Sequence, residues 1–281
     1  MNDNNNIIRF DWAAKRILRD KANFGVLEGL LTVLIGEQIR IQQLLESESN
    51  QAYSDEKYYR LDLYATNSQG DNIIIKIQPS RKLHYYERIV LGEPQIIDMV
   101  SWQKRYEAIK KVYSINILYF DLGQGSDYLY HGKTVFTGVH TGDRLKVNTR
   151  EADEIKMTVP EDVFPEYYII RVNEFNDVAR TPIEEWLDYL KNNRIKDDTS
   201  TPGLKEARQH LLYMTMTDAE RKAYDAHMDD IMVQNDVLDT AKMEGRAEGK
   251  IEMAKNLKSL GVDIRTIMQA SGLTEEQIKQ L

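Results

Sequence analysis

Two polar side chains interrupt an otherwise apolar run at residues 72–78, whose sequence is NIIIKIQ. They are Lys76 and Gln78, and because side chains two apart on a β-strand project from the same face, they must point together. Folding does not need polar groups in such a strand, since burying each one without partners costs about 1–3 kcal/mol. A wet sheet edge would also explain them, so the spacing alone leaves a functional pair and an edge strand as alternatives.

The preceding run of residues supplies a carboxylate to the same surface. In RLDLYA, residues 60–65, Asp62 alternates with leucines, which is the period of a β-strand. The intervening NSQGD, residues 67–71, has hairpin chemistry because Gly70 can take a positive φ. The two runs therefore predict a β-hairpin that brings a carboxylate, an ammonium and a carboxamide near one sheet surface.

Elements on both sides of the hairpin must hold it in place. Apolar residues from Phe24 to Ile39 recur at spacings of three and four, which predicts one buried helix face. Pro79 ends the second hairpin strand, and residues 82–111 are typical of a helix with a break at residues 92–94. We expect further strands at residues 114–123, 127–130, 134–139, 145–147 and 167–172.

The character of the chain changes after the last predicted strand. Thr181, Pro182 and Glu184 combine a helix cap, a first-turn proline and a capping-box glutamate. Charged helical sequence follows from about Pro202. We therefore predict an α/β core over residues 1–195 and a helical C-terminal extension over residues 196–281.

The extension carries two further patterns. In EGRAEGK, Gly245 and Gly249 share a helix face and favour close packing in a soluble bundle. The terminal DIRTIMQASGLTEEQIKQL has the form of a helix-turn-helix with a capping box from Thr274 to Gln277. Its last helix begins with two glutamates, whereas a DNA reader would present donors or positive charge. A structural or self-association module, with a homo-oligomer through these helices, is favoured over a reader of bases.

Composition excludes several classes of function. The 281 residues contain no cysteine, which rules out disulfides, a thiol nucleophile and thiolate metal sites and favours a reducing cytoplasm. No run approaches the ~18 apolar residues of a membrane span, and the opening MNDNNN lacks the blocks of a secretory signal. There is no Walker loop or GxGxxG after a strand, and the five histidines lack a metal-binding spacing. We therefore expect a cytoplasmic protein that does not cradle a nucleotide.

Positive charge is concentrated in one segment of an acidic chain. The net charge is −8, yet residues 76–111 hold eight basic and four acidic residues. A phosphate-facing patch would explain this concentration. Solvated charges on an exposed helix face would explain it equally well.

At the hairpin residues Asp62, Lys76 and Gln78 the chain resembles a known family, the PD-(D/E)XK nucleases, in the branch called recombination-promoting nuclease or PD-(D/E)XK nuclease family transposase. The resemblance runs through nearly the whole chain in order: FDWAAKRILRDKANFGVLEGLL, LLESESN, the LDLYA…IIIKIQ hairpin, YYERI, KKVYSINILYFDLGQGSDYLYHG, FPEYYIIRVNEF and the tail EGRAEGK…SGLTEEQI. It implies an α/β restriction-endonuclease-like fold with an αβββαβ core. It also implies hydrolysis of phosphodiesters in double-stranded DNA with a divalent metal, Mg²⁺ or Mn²⁺.

The resemblance carries roles to particular positions. Asp62 matches the metal-binding aspartate, and Gln78 matches the last member of the (D/E)-x-(K/Q) pair. Glu46 and Glu48 in LESESN are expected as helix-borne carboxylates that help to hold the metal. The expected contacts to DNA phosphates are Lys57, Arg81, Lys82, Arg88, Lys104 and Arg105.

The chain departs from the family pattern at the centre of the motif, where Lys76 occupies the position of an expected glutamate. At ~4 Å and an effective dielectric of ~20, an ammonium repels each unit of metal charge by about 4 kcal/mol. Three alternatives follow: Lys76 inactivates a genuine nuclease, another carboxylate (Glu46, Glu48 or Glu56) holds the metal, or the fold has been kept without the chemistry. The first and third are favoured, because a lysine at the metal must be overcome as well as compensated.

Two function classes follow from this sequence. The first is a metal-dependent DNA endonuclease impaired by Lys76, with Asp62, Lys76 and Gln78 as its catalytic positions. The second is a non-catalytic DNA-binding or oligomeric regulatory protein on the same fold. A protein-interaction scaffold that neither binds nor cuts DNA is a third, less informative interpretation.

Overall fold

The computed structural model describes residues 7–17, 23–46, 61–78, 85, 111–120, 122–151, 154–159, 164–212 and 216–281. For residues 15–17, 43–46, 61, 62, 64, 147–151 and 154–158 it describes the backbone only. The chain divides into two compact units, Met1–Thr215 and Met216–Leu281. The second unit begins about twenty residues after the boundary expected at residue 196.

The first unit is built on a mixed six-stranded sheet of order β1-β2-β3-β4-β8-β5. Neighbouring strands are antiparallel except for β3 with β4 and β4 with β8, which are parallel. A separate antiparallel pair, β6 and β7, lies outside this sheet. The strands are β1 (Ile41–Glu46), β2 (Leu61–Asn67), β3 (Asn72–Gln78), β4 (Val112–Leu118), β5 (Leu129–Gly132), β6 (Val147–Glu151), β7 (Glu154–Thr158) and β8 (Glu166–Arg171).

The helices of the first unit are α1 (Phe10–Ile17), α2 (Phe24–Ile35), α3 (Pro182–Asn192) and α4 (Leu204–His210), with a 3₁₀ turn at Val172–Glu174. Helix α2 contacts both α3 and α4. Gly29 on α2 lets the backbone before α4 approach closely, since a Cβ at Gly29 would clash with Gly203 Cα. The α/β, restriction-endonuclease-like fold class expected from the sequence is confirmed.

The predicted hairpin is present, with its turn held by one side chain. Asn67 Oδ1 accepts hydrogen bonds from the backbone N–H of Gln69 at 3.0 Å and of Asp71 at 2.8 Å. Gly70 has φ of 83°, the left-handed conformation that glycine adopts without strain. These contacts fix the register in which β2 pairs with β3.

Several predicted boundaries were wrong. The first long helix ends at Ile35 rather than at Ile39, because Gly36 takes φ of 84° and donates its N–H to Thr32 O. Ile39 is buried nevertheless, so the apolar pattern continued beyond the helix. Residues 134–139 contain no strand and only a bridge from Thr137 to Arg144, and residues 145–147 hold only the start of β6. Strands β1 and β7 were not expected from the sequence, and β4, β5 and β8 are displaced by one to five residues from the predicted ranges.

The predicted helix over residues 82–111 lies outside the described residues except at Tyr85, which is helical, and Lys111, which is not. At the other predicted helix start, Thr181 N donates to Glu184 Oε2 at 2.8 Å, as a capping box requires. Helix α3 therefore begins where the sequence indicated.

The second unit contains a long helix, α5 (Asp218–Ser259), followed by α6 (Ile264–Ser271) and α7 (Glu275–Gln280). Ala254, Ile267 and Ile278 form the small core that joins the three helices. Thr274 and Gln277 form the expected capping box, with Thr274 N donating to Gln277 Oε1 at 2.9 Å. Gly245 and Gly249 face open space in the described structure, so they do not pack closely against a neighbour within this unit. None of the described helices is long and apolar enough to span a membrane.

Candidate functional site

The register of the hairpin places Asp62 of β2 directly opposite Lys76 of β3. Residues paired in this way occupy the same face of a sheet, and Gln78 shares the face of Lys76. Lys76 is 6% exposed and Gln78 is 5% exposed. The wet sheet edge that the sequence left as an alternative is therefore wrong, because β3 lies inside the sheet and both side chains are buried.

The neighbouring strand contributes a polar residue that the sequence analysis missed. Asn116 of β4 is paired with Lys76 across the parallel ladder and is itself completely buried. Its Nδ2 donates to Ser114 Oγ at 3.2 Å and to Tyr168 O at 3.4 Å. Its Oδ1 accepts a hydrogen bond from the Tyr85 hydroxyl at 3.2 Å.

Tyr85 covers this polar row with an aromatic ring. It packs against Leu118 and Phe120, and its ring lies 5.6 Å from that of Phe120 in an edge-on arrangement. Since Leu118 is paired with Gln78, the tyrosine lies on the same face as the polar residues of β3. Asn116 could have been found in the sequence by the argument applied to Lys76, because SINILYF is also an apolar strand interrupted by polar residues two apart.

The site is electrostatically unusual because the ammonium of a lysine is buried in the interior of the sheet. Gln78 and Asn116, the polar residues described beside Lys76, carry no charge. A buried ammonium is stable only where polar or anionic groups compensate its lost hydration. On the neighbouring strand β2, the residue paired directly with Lys76 is Asp62, which carries a carboxylate.

The described side chains around Lys76 do not fit the metal centre that the resemblance implies. A hard divalent cation needs several oxygen ligands, with carboxylates supplying the charge. Among the residues that the structure describes, no three histidine, aspartate or glutamate side chains are grouped to hold a metal ion. Lys76 stands where a carboxylate is implied, and it brings a positive charge without a ligand.

The expected helper Glu46 lies at the end of strand β1, so the expectation that it is carried by a helix was wrong. It is paired with Leu63, which places it on the face of the sheet opposite to that of Asp62. Its role in holding a metal stays a prediction. The other expected metal or phosphate contacts lie outside the described residues: Glu48, Lys57, Arg81, Lys82, Arg88, Lys104 and Arg105.

A buried arginine fixes the loop at the same end of the sheet. Arg171 ends β8 and is paired with Leu118, which in turn is paired with Gln78. Its guanidinium donates to Gly125 O at 2.9 Å and to Asp127 O at 3.2 Å. No local sequence pattern indicates this contact, because the arginine and the carbonyls are more than forty residues apart.

A second charged cluster lies at the opposite end of the central strands. The buried Glu166, first residue of β8, contacts Lys111 Nζ at 2.5 Å, His131 Nε2 at 2.5 Å and Lys133 Nζ at 3.3 Å. Burial alone would raise the pKa of Glu166, but hydrogen bonds from Lys111 and His131, together with the charge of Lys111, lower it to about 2. The carboxylate is thus held ionised, and it ties β8 to β5 and to the residue before β4.

Comparison with known protein families places most of the chain in one of them. The sequence model of a family described as PD-(D/E)XK nuclease family transposase matches residues 8–241, which is most of the chain. No curated protein and no solved structure matches the chain.

Proposed function

The chain belongs to the PD-(D/E)XK nuclease family transposases, and from this premise we propose that it binds double-stranded DNA at the end of β3 that carries Lys76 and Gln78, and cuts it poorly or not at all. The observation that supports this proposal is the burial of Lys76 opposite Asp62, at the position where the family has a metal-binding carboxylate. Replacing that carboxylate by an ammonium changes the charge of the site by two units.

The same charge that disfavours a metal favours a phosphate. A buried ammonium acts in a medium of lower dielectric than water, so its field at a nearby phosphodiester is stronger than that of a surface lysine. Gln78 and Asn116 keep the strand polar without adding negative charge. We propose that Lys76 supplies part of the positive potential that a divalent cation supplies in a nuclease, and that Asp62 serves as its counter-charge.

The basic segment that begins at Lys76 extends this proposal to the DNA backbone. Arg81, Lys82, Arg88, Lys104 and Arg105, together with Lys57, are proposed as contacts to phosphates on either side of the site. Binding of this kind releases counterions, so the logarithm of the binding constant for DNA should fall steeply and linearly with the logarithm of the salt concentration.

The alternative function is a metal-dependent endonuclease of the family's kind, with Mg²⁺ or Mn²⁺ held by Asp62 and Glu48, because Glu46 occupies the opposite face of the sheet. Two features favour it: Asp62 and Gln78 keep the residue types that the family motif has at these positions. Lys76 disfavours it, because the ammonium adds about 4 kcal/mol of repulsion per unit of metal charge at ~4 Å.

The proposal is tested by measuring the binding of a fluorescent DNA duplex in the presence of EDTA, for the unchanged chain and for Lys76→Glu. We expect the unchanged chain to bind in low salt and Lys76→Glu to bind about ten- to a hundredfold more weakly, since a charged contact contributes about 1.5–3 kcal/mol. Lys205→Glu is the matched control, because Lys205 is exposed on α4 and the substitution changes the charge equally. Failure of the unchanged chain to bind, or equal weakening by both variants, would refute a role of Lys76 in holding DNA.

A further inference from the structure

The middle of helix α5 is exposed to solvent on every side. Residues 235–253 are all exposed. Large apolar side chains in or next to this stretch are also exposed to solvent: Val233 and Val237 are each 63% exposed, and Met243 is 65% exposed. In proteins, most of the stability of a helix comes from packing of an apolar face rather than from helix propensity. The exposed valines therefore indicate a surface that is covered in solution.

The apolar residues of this stretch follow the spacing of a coiled coil. One stripe of residues along the helix, spaced alternately by four and three positions, is called here the α5 seam. It ends before Ala254, which packs in the core of the second unit. In chain order the α5 seam consists of Val233, Val237, Thr240, Glu244, Ala247 and Ile251. Four of its six positions are apolar, and the two polar positions lie in the middle.

We propose that the α5 seam pairs with the α5 seam of a second copy of this chain, with the two helices antiparallel. In this arrangement Val233 packs on Ile251 of the second copy, and Val237 packs on Ala247. Glu244 lies opposite Thr240 of the second copy, whose hydroxyl can donate a hydrogen bond to the carboxylate. Each layer of the seam is then either apolar or hydrogen-bonded.

The charges beside the seam specify the antiparallel direction. Asp236 and Lys250 flank the seam on the same side, one near each end. In an antiparallel pair each Asp236 meets Lys250 of the second copy, twice by symmetry, and the two Met243 side chains meet at the two-fold axis. A parallel pair would instead set Glu244 against Glu244 and Lys250 beside Lys255, which are like charges.

The length of the seam limits the affinity. From Val233 to Ile251 the helix rises about 27 Å at 1.5 Å per residue. An interface of this size, with two polar layers, is smaller than that of obligate dimers. We infer a reversible dimer with a Kd in the micromolar range, which does not depend on DNA or on the chemistry at Lys76.

The absence of cysteine from the chain makes a direct geometric test available. Single cysteines are introduced in the full chain by Met243→Cys, Val233→Cys or Asp239→Cys, and each variant is treated with a short bismaleimide cross-linker. The antiparallel pair brings the two Met243 positions together but separates the two Val233 positions by about 27 Å. Asp239 points away from the seam and serves as the matched control.

We expect a cross-linked dimer from Met243→Cys and none from Val233→Cys or Asp239→Cys. Cross-linking of Val233→Cys would indicate a parallel pair and overturn the proposal, as would equal yields from all three variants or no dimer from Met243→Cys. Circular dichroism of each variant checks that the helix is retained.

Sedimentation equilibrium provides a second test based on charge. Asp236→Lys should weaken the dimer about tenfold, because the reversed charge meets Lys250 at two symmetric places. Adding Lys250→Asp to that variant should restore the affinity, whereas Asp239→Lys should leave it unchanged. A monomeric unchanged chain at high micromolar concentration, or no rescue by the second reversal, would contradict the proposed pairing.

Discussion

Lys76 of β3 and Asn116 of β4 are paired across a parallel ladder in the interior of the sheet, and both are buried. A charged and a neutral polar residue thus stand side by side where apolar residues would pack without loss of hydration. Tyr85 and Ser114 complete the hydrogen bonds of Asn116, so this polar row is an organised network. This network lies beside Lys76, at the position where the family has its metal-binding carboxylate.

Removal of Asn116 should destabilise the first unit. Asn116→Ala deletes the bonds to Ser114 and Tyr85 and leaves the tyrosine hydroxyl without this acceptor, so we expect a loss of about 2–3 kcal/mol in the free energy of unfolding. Urea denaturation followed by tyrosine and tryptophan fluorescence measures it. Tyr85→Phe, which removes only the hydroxyl, should cost about 1–2 kcal/mol. If Asn116→Ala were as stable as the unchanged chain, the network would not be structural.

The Glu166 cluster predicts a window of acid sensitivity. Because the pKa of Glu166 is lowered from 4.5 to about 2 in the folded protein, its contribution to stability is present above pH 4.5 and is lost as the pH falls toward 2. Glu166→Gln should therefore be less stable than the unchanged chain at neutral pH, and the difference in Tm should shrink between pH 4.5 and 2. Thermal unfolding of both proteins across this window measures the difference. A difference in Tm that is constant with pH would contradict the lowered pKa.

Arg171 should control the order of the loop at the site end of β8. Arg171→Lys keeps the positive charge but lacks the fork of donors, in which Nη1 reaches Gly125 O and Asp127 O while Nη2 reaches Gly123 O. We expect faster amide hydrogen exchange in residues 123–128 of this variant, measured by mass spectrometry. Exchange in α3 is the internal control and should not change. Unaltered exchange in residues 123–128 would show that the loop does not depend on the guanidinium.

The two glycines of α5 should behave as helix-weakening residues. A Cβ added at Gly245 meets nothing within 4 Å, and in the antiparallel pair this position points away from the seam. Gly245→Ala should therefore stabilise α5 by about 0.5–1 kcal/mol through helix propensity and leave dimer affinity unchanged. Thermal denaturation followed by circular dichroism, with sedimentation of the same sample, measures both quantities. Weaker association of Gly245→Ala would place the glycine in the interface and require a different seam.

The hairpin could be predicted from the sequence because its signals are local. Alternation of polar and apolar residues, a glycine in the turn and polar residues two apart all lie within residues 60–78. The partners of Lys76 could not be predicted in this way, because the register of β3 with β4 joins strands separated by a long segment. The Glu166 cluster likewise gathers side chains from residues 111, 131, 133 and 166, which no local pattern connects.

The residues at which strands begin and end were harder to predict than the presence of the strands. The apolar run at residues 114–123 indicated a strand, but β4 ends at Leu118. Strand β1 was missed because its sequence, IQQLLE, contains polar residues that are typical of loops. Its place at the edge of the sheet explains that composition, since an edge strand packs on fewer neighbours than an interior one.

The central claim, that Lys76 has replaced a metal-binding carboxylate, is tested most directly by plasmid cleavage with and without Mg²⁺ or Mn²⁺. The three proteins are the unchanged chain, Lys76→Glu, and Lys76→Glu combined with Asp62→Ala. We expect metal-dependent cleavage by Lys76→Glu and little or none by the other two. Efficient cleavage by the unchanged chain, or none by Lys76→Glu while it remains folded and binds DNA, would contradict the claim.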